Sequence, residues 1–455
     1  MHTFAIVDMN VIIPCHLNKK SGGKRMRKLS TISIAVVMLA FSLPAAAQLS
    51  WEQCQQLARD NYPLLQRYDL IRQSTAYTLQ NIRRGYLPQL SLSGQASYQS
   101  DATHFPDALG QLLAGSGEES PSMRKDQYKI ALDLNQVVWD GGNLQAQKRL
   151  AGSEEEVQMA QTEVDMYALR NRVNELFFGI LLLDEKLKWN GELQKLLLSN
   201  CRILESRKAH GTAMTSDINT VRAEYLKARQ ERTALVSMQK SYRQMLALFV
   251  GKDTADVVRL LKPAASLPQT LESRRPELHL FSARMQQIKS RESLLNAGIR
   301  PRISLFAQGY YGYPGYDMFE SMFSHDLKLN GIAGIRLSWN IGRLYTLKAD
   351  RRKLDIAREQ IETERETFLF NNRLQSAQET EAIRQYEQMM KEDAEIIELR
   401  TAVRQAAETQ LTHGVIGVND LLQEITRENQ ARISHATHEV EMLKKIYELK
   451  NTINQ

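Results

Sequence analysis

Five landmarks occur twice in this chain, in one order, about 200 residues apart. "NYPLLQRYDLIRQSTAYTLQNIRRGYLPQLSLSGQASY" begins at Asn61, and "RRPELHLFSARMQQIKSRESLLNAGIRPRISLFAQGYY" begins at Arg274. Pro63 aligns with Pro276 and Pro88 with Pro301, both at an offset of 213. Trp139 aligns with Trp339 at 200, so the second copy has a shorter insertion between its strands. "AHGTAMTSDI" (209–218) aligns with "THGVIGVNDL" (412–421), His210 with His413 at 203. A tandem duplication means that whatever one half builds is built again, which is the strongest constraint on the fold. We divide the chain into a leader over 1–47, a first repeat over 48–262 and a second over 263–455.

Within each half the hydrophobic period changes twice. A helical pattern runs from Pro63 to about Tyr86, and Pro88 stops it, because the residue before a proline avoids the helical region. Strands follow at about 88–99 and 127–138, separated by a polar loop over roughly 100–126. The first strand sets Leu90, Leu92, Gly94, Ala96 and Tyr98 on one face, against Ser91, Ser93 and Gln95 on the other. Tyr128, Ile130, Leu132 and Leu134 do the same in the second. The second half repeats this at about 301–311 and 329–340, where Leu305 and Leu337 lie on apolar faces and Ser304 on a polar one. Alternation over ten or so residues is the pattern of a membrane β-barrel or of a soluble sandwich. Four strands cannot close a barrel, which needs about eight. The strands of several chains must therefore combine, unless a sandwich forms.

The helices decide between these. A continuous helix is expected from Asn143 to about Ala209, roughly 100 Å at 1.5 Å per residue. Leu169, Val173, Leu176, Ile180, Leu183 and Leu187 step by 4 and 3, a coiled-coil seam. A partner returns from Gly211 to about Phe249. The second half repeats the pair from about Leu344 to Thr409 and from Val418 to Asn451, with Ile433, Ala436, Val440, Leu443 and Tyr447 as its seam. Such helices lie side by side as hairpins, strands at one end and glycine turns at the other. In "VVWDGG" and "LSWNIG" a strand becomes a helix. Gly141, Gly142 and Gly342 supply backbone freedom there, Trp139 and Trp339 suit the polar edge of a bilayer, and Pro88 and Pro301 mark the opposite crossing.

Residues 24–28, "KRMRK", the apolar run 29–43 and "PAAAQ" form an export signal cleaved after Ala47, with Met26 as the expected start. Only Cys54 and Cys201 lie beyond it, in separate helical patterns, so no disulfide is expected. The net charge of +7 is spread as alternating signs along helices, not as a basic stripe with interleaved aromatics, which argues against nucleic acid. No catalytic constellation or cofactor motif stands at a demanding spacing, so neither an enzyme nor a cofactor is expected.

The residues "YLPQLSLSG", the pair "VVWDGG" and "LSWNIG", and the paired turns resemble the TolC-like outer membrane efflux protein family, over nearly the whole mature chain from about Leu49 to Ile453. The resemblance implies a mainly α fold with a membrane β-barrel: a homotrimer whose 12-stranded barrel in outer membrane lipid continues into a 12-helix α-barrel across the periplasm. It implies an exit duct of a tripartite efflux or type I secretion system, docked to a periplasmic adaptor and an inner-membrane pump, proton-driven or ATP-driven. The other reading is a periplasmic coiled-coil scaffold with a soluble β-sandwich; a basic filament binding an anionic polymer is a third.

By the same resemblance the periplasmic end closes near the second turn. The matching acidic positions are Asp217 and Asp420. The Tyr and Arg that lock this gate in well-known members are Leu411 and Ile416 here, and a further acidic position is Gln423, with Glu424 beside it. The turns His210–Gly211–Thr212 and His413–Gly414–Val415 are the expected adaptor contacts. The histidines could bind metal or sense pH, but a polar residue facing the helix dipole is the plainer role. Tyr310, Tyr311, Tyr313 and Tyr316 suggest an aromatic girdle at the outer interface, or a binding surface or plug. For Asp420 a carboxylate ring that favours cations is weighed against a helix-capping role.

Overall fold

The computed structural model describes residues 48–114, 121–254, 257 and 259–455. The leader expected over 1–47 lies outside the described residues. Helix α1 (Trp51–Asn61) leads into α2 (Gln66–Arg84) and strand β1 (Gln89–Tyr98). A short helix α3 (Asp107–Ala114) precedes β2 (Asp126–Trp139), α4 (Asn143–Tyr167), α5 (Leu169–Ala209) and α6 (Thr215–Val250). The second half holds α7 (Pro276–Gly298), β3 (Arg302–Tyr313), the short α8 (Met318–Phe323), β4 (Lys328–Ser338), the 70-residue α9 (Arg343–Thr412) and α10 (Val418–Ile453).

The strands form one antiparallel sheet in the order β1-β2-β3-β4. Gln89 pairs with Asn135, Ala131 with Tyr310 and Arg302 with Ser338. Below the sheet α4 packs between α2 and α7, and α7 against α9, so the helices keep the order of the strands they join. Lower still the order is α6, α5, α10, α9. Each level of the unit over residues 48–455 is four elements wide, with α1 laid against α5 and α6, so this unit is a slab of wall. The described residues contain one sheet and no second sheet facing it, which removes the sandwich on which the scaffold reading depended.

Three departures from the sequence reading have local causes. The expected loop over 100–126 contains α3. The expected unbroken helix from Asn143 to Ala209 is interrupted at Ala168, whose φ −60° and ψ −23° remain helical. There the chain changes neighbour, from α7 to α10, and the buried Tyr167 hydroxyl donates to the carbonyl of Asn451. Helix α1, not anticipated, is fixed by a Ser50–Gln53 capping box. It docks on α5, where Asn174 Oδ1 accepts from Trp51 Nε1 and from Gln55 Nε2, each at 2.6 Å.

The main core sits at this level, with Val173, Phe177, Phe178 and Ile180 against Leu246, Val440 and Leu443. A second core near the turns joins Leu204 and Val221 to Leu411, Leu421 and Ile425. The expected seams supply the first: Leu169, Val173, Leu176, Ile180 and Leu183 are buried, as are Ala436, Val440, Leu443 and Tyr447, while Leu187 and Ile433 are half-buried. Cys54 belongs to the first core and Cys201 to the second, and both are free thiols. Burial pushes the Cys54 thiol up to about 12. Among the described residues no helix is long and apolar enough to cross a membrane.

Candidate functional site

The two faces of the sheet differ sharply. Leu92 is 75% exposed, Leu132 52% and Leu337 68%, and nothing among the described residues covers them. On the opposite face Ala131, Val137, Ser304 and Tyr310 are buried although no second layer lies over them. Side chains that shield one another without a cover lie on the concave side of a curled sheet, and the splayed apolar row is convex. The concave face is polar. Gln308 Nε2 donates to Asp133 at 2.5 Å, and Lys129 donates to Gln308 Oε1 at 3.1 Å. Lys129 also stands 4.3 Å from the Tyr310 ring centre.

Ser304, expected on a polar face, lies on the concave one, where it is 4% exposed. Of the four tyrosines at 310, 311, 313 and 316, Tyr311 projects from the convex face, beside the exposed Tyr98 of β1 and Tyr128 of β2. Tyr310 turns inward, and its hydroxyl donates to the Pro314 carbonyl at 2.9 Å. Tyr313 is buried, donating to Ser321 O at 2.7 Å and accepting from the Arg124 amide at 2.9 Å. Tyr316 leans back toward Gln308.

At the junctions Pro88 and Pro301 stand immediately before β1 and β3. Gly141 and Gly142 take φ of +69° and +87°, a region closed to most side chains. Asp140 completes this turn, Oδ1 accepting from Gly142 N at 2.9 Å and Oδ2 from Leu144 N at 2.6 Å. The second copy departs from the first, since Gly342 has φ −59° and needs no glycine freedom. Trp139 and Trp339 are both exposed, and Trp339 Nε1 holds the Ile299 carbonyl at 2.9 Å.

The two hairpin turns are the same motif twice. Gly211 N bonds Lys208 O at 2.9 Å and Thr212 N bonds Arg207 O at 2.9 Å; Gly414 N bonds Leu411 O at 3.0 Å and Val415 N bonds Gln410 O at 2.9 Å. These are paired 5→2 and 6→1 Schellman closures, with both glycines at φ +73°. His210 Nδ1 lies 2.7 Å from the Ser206 carbonyl, at the C-terminal end of its helix. His413 caps the end of α9. Among the described residues no group of three or more His, Cys, Asp or Glu could hold a metal.

Asp217 Oδ2 accepts from Met214 N at 2.9 Å, and Asp420 Oδ2 from Gly417 N at 3.0 Å. Both carboxylates therefore cap the helix after their turn, and neither has a cationic partner within 4 Å among the described residues. Leu411 is buried, and Ile416 packs on the same core, so both side chains hold the turns together. Glu424 pairs with Arg400 at 3.4 Å and with Arg427.

Two features went unread in the sequence. Arg207 Nη1 donates to Leu411 O at 2.8 Å and ties one turn to the other. Between α9 and α10 the buried Glu428 receives Arg404, Arg432 at 2.8 Å and Thr401 at 2.9 Å. Burial opposes its charge, but these donors outweigh it and hold the carboxyl below the ordinary range. A polar residue on a helix face gives no periodic signal, so only packing reveals either.

No family model and no curated protein sequence matches this chain. Solved structures do. The channel protein CusC aligns at a TM-score of 0.63 and 15% identity, over 91% of this chain and 95% of that one. The outer-membrane channel OprN aligns at 0.61 and 15%, over 89% of each. The outer membrane protein VceC of Vibrio cholerae aligns at 0.61 and 12%, over 89% and 94%. At such identities the likeness is one of fold, and it extends over nearly the whole of each chain.

Proposed function

We infer that this chain, which carries the fold of the TolC-like outer membrane channels, is itself one wall segment of an outer membrane duct, a passive conduit and not an enzyme. One observation carries the reading: the slab is unfinished on the same two sides at every level. β1 and β4 leave long unpaired edges beneath an uncovered apolar face. The flanking helices are equally bare, α2 at Leu70 and Tyr77, α6 at Leu226 and Met238, and α9 at Leu374 and Leu399. Exposed strand edges and large apolar patches demand a partner. A left edge that meets the right edge of the next copy is a head-to-tail contact, which closes into a ring.

The ring, taken as three copies from the resemblance, gives twelve strands in outer membrane lipid and twelve helices in the periplasm. Convex leucines then face lipid and the concave Asp133, Gln308 and Lys129 face water. The Schellman turns at Gly211 and Gly414 stand at the far end, where a periplasmic adaptor would connect the duct to an inner-membrane pump. Asp420 would form a ring of carboxylates, its Oδ1 free for passing cations while Oδ2 caps its helix. Planar bilayer recordings test this. We expect a conducting, cation-preferring pore whose preference falls in Asp420→Ala. An unchanged preference would remove Asp420 from the passage, and a protein that never conducts would reject the duct.

A further inference from the structure

Where sheet and helices meet, a cavity of about 490 Å³ opens between the ends of β2, β3 and β4 and the starts of α4 and α9. Three guanidinium groups from three segments line it: Arg300 before β3, Arg302 on β3 and Arg343 opening α9. None has a carboxylate within ion-pair distance among the described residues, although arginines elsewhere are commonly paired, as Arg59 is with Glu163 at 2.8 Å. The one acid in the lining is Asp140, and both its oxygens are taken by the amides of Gly142 and Leu144.

Two of the arginines are held in place. Arg300 Nη1 donates to Gly141 O at 3.2 Å and Arg343 Nη1 to Gly298 O at 3.0 Å, which leaves each guanidinium with further donors. The Arg302 side chain makes no hydrogen bond among the described residues and lies on the concave face, its residue paired in register with Ser338. The helix ends at Asn143 and Arg343 add partial positive charge to the same space. Leu144 and Trp339 supply apolar wall.

We propose that this cavity binds the oxyanion group of cargo, a phosphate, sulfonate or dicarboxylate carried on an apolar body. The chemistry is that of planar forks offering paired donors to a tetrahedral or planar anion. Three cations, two of them held in place, beside a single occupied carboxylate leave a surplus that an anion would neutralise. Val137, Arg302 and Ser338 line it from the concave face of the sheet, so under the duct reading, on which this rests, its ligand arrives through the passage and not from the lipid. The protein would then carry a basic station near the membrane and acidic Asp217 and Asp420 at the other end.

The test uses inorganic pyrophosphate and the detergent-purified full chain at roughly 0.15 M salt. Calorimetric titration should detect binding. Arg302→Gln, which breaks no internal contact, should weaken it about tenfold, the loss of one charge-assisted hydrogen bond. Arg59→Gln should bind as the unaltered protein does. No binding, or equal binding by Arg302→Gln, overturns the proposal. In planar bilayers pyrophosphate should reduce the current of the unaltered chain and spare that of Arg302→Gln. A chain that binds in an Arg302-dependent manner but never conducts supports the anion site and overturns the duct reading alone.

Discussion

The first hairpin, α5 with α6, is held inside by neutral amides; the second, α9 with α10, is held by buried charge. In the first, Asn190 and Gln194 both donate to the Ala228 carbonyl, at 3.1 and 3.3 Å. Its main acid, Asp184, pairs with Arg243 at 3.0 Å but is held above the ordinary carboxylate range because burial outweighs that partner. In the second, Glu428 is held below its range by Arg432, Thr401 and Arg404, and Asp393 meets His438 at 2.7 Å. The turns that close the hairpins are alike in geometry. Duplication has therefore preserved the backbone device while the interiors diverged, one toward amide bonds that tolerate change and one toward a charge cluster that does not.

Glu428→Gln is the sharpest way to break the contrast. It leaves Arg432 without a carboxylate and Arg404 with Glu408 alone, and losing charged hydrogen bonds of this kind costs about 2 kcal/mol. Asn190→Ala should cost only about 1 kcal/mol. Thermal denaturation in detergent should rank them in that order; equal losses would erase the difference between the hairpins.

Gly211→Val and Gly414→Val probe what the hairpins share. A Cβ at either position meets nothing within 4 Å, so the penalty is backbone strain alone, at least ~1–2 kcal/mol for a left-handed residue. The two losses should agree in denaturation. A large disagreement would mean that one turn is not the motif described. Arg207→Ala comes next, at about 1 kcal/mol for one hydrogen bond. Its aligned position in the second repeat is Gln410, whose side chain makes no matching contact among the described residues. Proteolysis should therefore show turns that separate more readily in Arg207→Ala and not in Gln410→Ala; equal susceptibility would deny the tie.

Acidification should give the smallest effect, and with opposite signs. Glu428, held low, contributes stability that is present above the unfolded carboxylate value near 4.3 and is lost as pH falls through its depressed folded value. Asp184, held high, favours the protonated form, so its contribution is present below about 3.9 and is lost as pH rises through its raised folded value. Hydrogen exchange, corrected for intrinsic rates, should rise around Glu428 and fall around Asp184 below about pH 4.5. Parallel changes would contradict the opposed shifts.

Much of this layout was legible in the sequence because it rests on period and punctuation. Alternation over Leu90–Tyr98 and Ile303–Tyr311, prolines at 88 and 301, and glycines at 211 and 414 are local signals that tertiary packing did not override. What escaped depends on three dimensions. The curl of the sheet encloses Ser304 and turns Tyr310 inward, and curvature leaves no mark in an alternating pattern. The interruption at Ala168 reflects a change of neighbour in a stretch with no helix breaker. Leu411 and Ile416 could be placed beside the second turn, but only packing puts them in its core. The Arg207 tie and the Glu428 cluster join residues remote in sequence, and a charged helix face looks the same whether it meets water or another charge.

All of these contrasts assume that the slab is one segment of a closed wall. Chemical cross-linking of the full chain, extracted from outer membranes in mild detergent and weighed intact, tests that assumption most directly. The ladder should end at three chains, with β1 of one copy joined to β4 of the next. A product that stays predominantly monomeric or dimeric, with those edges still open, would contradict the duct.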